Sequence, residues 1–152
     1  MGAGIAAGVL ATLVQVMLWA VFTDEFPALL FRDARLTAAL VMGSRVLPPP
    51  AGFDAFVMLV ATVIHFALSA VYTALLAQLA ARLEGCAAVP MGAAFGVALY
   101  AVNLHGFTEL FPWFAQARGW ITLAAHVAFG MTASFAYRRL RLRNGRSRSG
   151  GR

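Results

Sequence analysis

Four long apolar stretches dominate the sequence. They cover residues 2–22, 55–82, 88–107 and 119–138, and each is long enough for the helix of roughly 20 residues that crosses a bilayer core about 30 Å thick. Their length, and the absence of a two-residue alternation, argue against the strands of a membrane barrel. The pattern predicts an all-α integral membrane protein, with four transmembrane helices in a domain over residues 1–137.

The remaining chain divides into one long loop and a tail. Residues 23–53 separate the first two spans, and a run of three prolines at 48–50 excludes a helix there. The segment before it, residues 31–47, mixes apolar residues with Arg in a way that favours a short interfacial helix. Residues 138–152 follow the last span and are rich in Arg, Gly and Ser.

Composition excludes a soluble enzyme and a nucleic-acid-binding protein. Hydrophobic residues make up 61% of the chain and charged residues only 12%, against about 25% charged in ordinary soluble domains. All 12 basic residues are Arg, and seven of them lie in the last 15 residues. The rest of the chain has five Arg and six acidic residues, so the net charge of +6 belongs to the tail.

The distribution of Arg also predicts topology. Arg is enriched on the cytoplasmic side of membrane proteins, so we expect both termini to be cytoplasmic and residues 23–53 to be periplasmic. The predicted location is the inner membrane of a bacterium, as a multi-pass protein surrounded by lipid. The tail is expected to attract anionic lipid, at about 1 kcal/mol per Arg near the surface.

Two halves of the chain resemble each other. Residues 22–27 read FTDEFP and residues 107–112 read FTELFP, each after an apolar span. His65 and His126 also lie in similar apolar surroundings in the second and fourth spans. The simplest interpretation is a duplicated helical hairpin, in which the two histidines are equivalent and Asp24 is equivalent to Glu109.

Small residues recur at helical spacing in three spans. Gly4 and Gly8 form one G-x-x-x-G step, Gly92 and Gly96 form a second, and Gly130 lies on a similar face of the last span. Such faces allow membrane helices to approach closely. We expect them to mediate helix packing, within the chain or against another copy or a larger membrane complex.

Polar residues within the spans are the candidates for function, because uncompensated polar groups are costly in a membrane. The candidate interior or proton path comprises His65, His126, His105, Asn103, Gln15, Tyr72, Tyr100, Asp24 and Glu109. Three uses remain open. The polar groups could only hydrogen-bond the helices together, they could conduct a proton with His titrating near neutral pH, or His65 and His126 could bind a b-type haem as axial ligands.

Catalytic and metal-binding patterns are absent from the sequence. It contains no G-x-S-x-G, H-E-x-x-H or phosphate-loop motif. The lone cysteine, Cys86, excludes an internal disulfide and a thiolate metal cage. We therefore predict a protein that is not an enzyme and has no metal site; no cofactor is expected except the haem of the third alternative.

A resemblance is carried by residues 55–143. Ile64-His65-Phe66, a Gly-rich span ending in Asn103-Leu104-His105, then Ala125-His126 and a closing Arg138-Arg139 resemble the YagU-like bacterial inner-membrane proteins. This implies a small multi-span protein, linked in one branch of that family to acid tolerance. Similar sequences also carry a sodium:proline symporter label, which implies more than ten spans, whereas four are predicted here.

The sequence thus favours a small accessory, assembly or interaction subunit, which packs against itself as a homo-oligomer or against a larger membrane complex. The alternatives are a small oligomeric channel, transporter or acid-stress protein that uses His65 and His126, and the haem protein. No nucleic-acid partner is predicted.

Overall fold

The computed structural model describes residues 2–82 and 88–149, which are almost entirely helical. Cys86, Glu84 and the last three residues of the tail lie outside the described residues. The α-helices of the described part are α1 (Gly2–Phe22), α2 (Ala28–Met42), α3 (Ala55–Arg82), α4 (Ala88–Ala101) and α5 (Trp120–Ser149). The prediction of an all-helical protein is confirmed for these residues.

Three helical stretches of the described chain are long and apolar enough to cross a membrane: Gly2–Phe22, Ala55–Ala81 and Ala88–Glu109. The apolar part of α5 carries Thr122, His126, Thr132 and Ser134, which lower its hydropathy, so the fourth span stays a prediction. Helix α5 also continues past residue 138 through the Arg-rich segment to Ser149. The membrane character predicted from the sequence is therefore supported by three helices.

Helix α5 packs along both α4 and α1, and α1 packs in turn against α3, whereas α3 and α4 make few direct contacts. The contact between α4 and α5 depends on Gly92, Gly96 and Gly130. A Cβ on Gly96 would collide with the backbone oxygen of His126, and a Cβ on Gly130 would collide with that of Gly92. The two backbones can approach this closely only because no side chain separates them.

Gly4 and Gly8 serve the contact between α1 and α3. A Cβ on Gly4 would lie 3.1 Å from the backbone oxygen of Ser69, and one on Gly8 would lie 2.8 Å from the Ser69 hydroxyl. The five predicted packing glycines therefore all lie at helix contacts inside the chain.

Helix α2 covers one end of this bundle. The predicted interfacial segment 31–47 contains the larger part of α2, which ends before Gly43 at φ +76°, followed by a 3-10 turn over Ser44–Val46. Ala34 and Ala38 pack with residues near the start of α3, and Leu36 is completely buried. Burial of this apolar side anchors α2 to the bundle.

The end of α4 departs from regular α-helix. A π-helical turn spans Val102–Gly106, and a 3-10 turn spans Phe107–Glu109. The Arg118 guanidinium donates to the Leu104 backbone oxygen at 2.7 Å and to the Thr108 hydroxyl at 2.9 Å. Because a π-turn rearranges the backbone hydrogen bonds of a helix, Arg118 supplies a partner at this place. The turn contains Asn103, one of the candidate site residues.

Candidate functional site

A cavity of about 690 Å³, partly open at the surface of the helical bundle, is lined by residues of all five helices and of the segment between α4 and α5. Its walls are mostly apolar and rich in aromatic residues, namely Trp19, Phe66, Phe107, Phe111, Phe114 and Phe129. The volume falls within the roughly 300–1,000 Å³ of small-molecule sites, which also combine apolar walls with a few polar groups.

Five of the polar residues predicted from the sequence lie on this cavity wall: Gln15, His65, Tyr72, Asn103 and His126. They come from α1, α3, α5 and the π-turn after α4. The fold thus brings residues that are far apart in the sequence to one cavity.

Four of the wall residues form a directional chain of hydrogen bonds. The Tyr72 hydroxyl donates to Asn103 Oδ1 at 2.7 Å, and Asn103 Nδ2 lies 3.4 Å from His126 Nε2. His126 Nδ1 lies 2.8 Å from the Thr122 backbone oxygen, which can only accept. His126 therefore carries its proton on Nδ1, and its Nε2 accepts a hydrogen bond from the Asn103 amide.

His65 has a different set of partners. Its Nε2 lies 3.3 Å from the Gly8 backbone oxygen and 3.3 Å from the Thr12 hydroxyl. The Thr12 hydroxyl itself donates to the same Gly8 oxygen at 3.0 Å. Both oxygens thus act as acceptors, so His65 Nε2 carries a proton and donates it toward α1.

Asp33 is the cavity residue that the sequence reasoning missed. Its carboxylate accepts hydrogen bonds from Arg32 at 2.9 Å and from Gln15 at 3.3 Å, and it forms an ion pair with Arg32. Burial raises the pKa of the Asp33 carboxyl, and the charge and hydrogen bond of Arg32 oppose this effect. The available signal was its helical spacing, because Asp33 lies three residues before Leu36, on the buried side of α2.

The other candidates lie away from the cavity. Asp24, Glu109 and His105 are exposed, and Tyr100 accepts a hydrogen bond from the Gly119 backbone at 3.2 Å. The Tyr100 ring contacts both His105 and His126, with centroid distances of 5.7 Å to each. The structure therefore does not bring the two exposed acids to the cavity histidines, His65 and His126.

The arrangement of His65 and His126 does not fit a haem. Bis-imidazole ligation needs a nitrogen lone pair from each histidine directed at one iron. His65 Nε2 is instead a donor to the Gly8 backbone, and His126 Nε2 accepts from Asn103. Within the described residues, no group of three or more His, Cys, Asp or Glu side chains could hold a metal ion.

No protein family, curated protein or solved structure matches this chain. The resemblance to the YagU-like proteins therefore stays a prediction from the sequence.

Proposed function

We propose that this chain is a small, non-enzymatic membrane protein that binds and carries a small molecule in the cavity of its helical bundle. This is the transporter alternative of the sequence reasoning, with Tyr72 and Asn103 added to the two histidines as the residues that contact the molecule. The observation that carries the proposal is the meeting of five polar residues from distant segments on the wall of one mostly apolar cavity.

The packing of the small residues supports this function over the interaction subunit. One reason to expect a partner is the small-residue faces, because such faces allow helices of different chains to approach closely. The glycines of these faces contact helices of the same chain, because Gly4 and Gly8 lie against α3 while Gly92 and Gly96 lie against α5.

The proposed topology has four spans, with cytoplasmic termini in a bacterial inner membrane. The duplicated hairpins within it rest on the similar segments 22–27 and 107–112. His65 bonds to Gly8 in α1 and His126 bonds to Asn103 after α4, which are positions that the repeat does not equate. A periplasmic reporter inserted at Gly52 is expected to be active, and a cytoplasmic reporter at the C-terminus is also expected to be active.

A pair of Leu→Trp variants on α3 tests the cavity. Leu68 lies on the cavity wall and is 37% exposed, whereas Leu59 is 59% exposed and does not line the cavity. We expect a small molecule to co-purify with the wild type and Leu59→Trp in mild detergent, and to be depleted in Leu68→Trp, as measured by mass spectrometry of extracts. If the three proteins yield equal amounts of the small molecule, or none yields any, the proposal is contradicted.

The same preparations test the interaction subunit. That alternative predicts a second protein, or further copies of this chain, at fixed stoichiometry in native mass spectrometry. It also predicts that both Trp variants retain this assembly and that no small molecule distinguishes them.

A further inference from the structure

We infer that the molecule bound in the cavity is neutral and largely apolar, and that its single hydroxyl-type head group bridges the Tyr72 oxygen and the Asn103 amide. This inference rests on the proposed function and specifies the chemical class of the ligand.

The hydrogen-bonding capacity left at these two residues defines the head group. The Tyr72 hydroxyl gives its proton to Asn103 Oδ1, so the phenol oxygen can still accept a hydrogen bond. One N–H of Asn103 faces His126 Nε2, and the second N–H of the amide has no partner among the described residues. A hydroxyl group can donate to the Tyr72 oxygen and accept from this second N–H at the same time.

The place of this pair in the fold favours access for a ligand. Helices α3 and α4 make few direct contacts, and the bond between Tyr72 and Asn103 joins α3 to the end of α4. A molecule that enters from the bilayer between these helices therefore meets this pair.

Charge on the cavity wall favours a neutral molecule. Of the described residues that line the cavity, Asp33 is the only Asp, Glu, Lys or Arg, and its carboxylate is paired with Arg32 at 2.8 Å. An anionic head would find no Lys or Arg side chain among the described residues of the wall. A cationic head would have to compete with Arg32 for Asp33, and burial of an unpaired charge is costly.

Four probes that share an unbranched ten-carbon chain and carry different head groups test the inference. They are decan-1-ol, decane, decanoate and decyltrimethylammonium, and bound copies are counted by native mass spectrometry of the full chain released from one detergent. Decan-1-ol is expected to bind best. Tyr72→Phe and Asn103→Leu are each expected to weaken its binding about two- to tenfold, the effect of one neutral hydrogen bond.

Tyr137→Phe is the matched control, because Tyr137 does not line the cavity; it is expected to bind decan-1-ol as the wild type does. If either cavity variant fails to fold, the relative binding of the four probes to the wild type tests the inference by itself. Equal binding of decan-1-ol and decane, or stronger binding of either charged probe, overturns the inference and leaves the cavity function standing. Binding of no probe, together with unchanged extracts from Leu68→Trp, rejects both proposals.

Discussion

The indole nitrogen of Trp113 donates a hydrogen bond to the backbone oxygen of Leu36 at 3.0 Å. It joins the segment before α5 to α2, across 77 positions of sequence. Leu36 is completely buried, next to Leu104 and Ala117. This contact therefore ties α2 to the segment between α4 and α5 at the same end of the bundle.

Trp113→Phe is expected to destabilise the fold by about 1 kcal/mol or more, because it removes one hydrogen bond and part of a packed ring. The free energy of unfolding in detergent measures the effect. Trp120→Phe is the control, since Trp120 is 57% exposed, and it is expected to cost less. An equal loss in both variants would show that the bond to α2 contributes nothing specific.

Gly96→Ala is expected to separate α4 from α5. The added methyl group would collide with the backbone oxygen of His126, and backbone cannot move aside as a flexible side chain can. We expect the free energy of unfolding to fall by about 1–3 kcal/mol, as is typical of overpacking. The measurement is the midpoint of thermal unfolding, which should be lower than in the wild type. A Cβ on Gly52 meets nothing within 4 Å, so Gly52→Ala should leave the midpoint unchanged. A midpoint for Gly96→Ala equal to that of Gly52→Ala contradicts the close contact.

Asp33 is expected to make stability depend on pH. Burial raises the pKa of its carboxyl above the ordinary 3.8, so the folded state holds this proton at pH values where the unfolded state has released it. The contribution of Asp33 to stability therefore falls as pH rises from 3.8 to the raised pKa, and stays constant above it. Below pH 3.8 the Asp33 carboxyl is mostly protonated in both the folded and the unfolded state, so folding does not bury a charge there.

Asp33→Asn removes this titration while keeping the shape of the side chain. We expect the stability of the variant relative to the wild type to increase as pH rises through that window, as measured by thermal unfolding at a series of pH values. Asp24→Asn is the control for loss of one negative charge, because Asp24 is exposed. If stability depends on pH identically in the two variants, the pKa of the Asp33 carboxyl is not raised by burial.

The apolar helices were predictable from the sequence, because a long apolar run such as Gly2–Phe22 satisfies its backbone hydrogen bonds in a membrane only as a helix. The sequence also identified the polar residues that meet in the cavity, since polar side chains in apolar spans must find partners. It could not say which of them meet. His105 is only two residues from Asn103, yet it is exposed while Asn103 lines the cavity.

Asp33 shows why the rest of the site was not predictable. The loop 23–53 contains the segment 31–47, which its mix of apolar residues and Arg predicts as a short interfacial helix. The cavity position of Asp33 depends on how α2 packs on α3 through Ala34 and Ala38. That packing is a tertiary contact, which local hydropathy does not reveal.

The two histidines of the cavity wall lead to the last prediction, on haem. A haem protein would show a Soret band after purification from haem-supplemented cells, and either His65→Ala or His126→Ala would remove it. We expect no such band, because His65 Nε2 donates to α1 and His126 Nε2 is held by Asn103. Ligation would require both hydrogen bonds to break, at about 1 kcal/mol each, and His65 to change tautomer. A Soret band that both substitutions abolish would refute this assignment and restore the haem alternative.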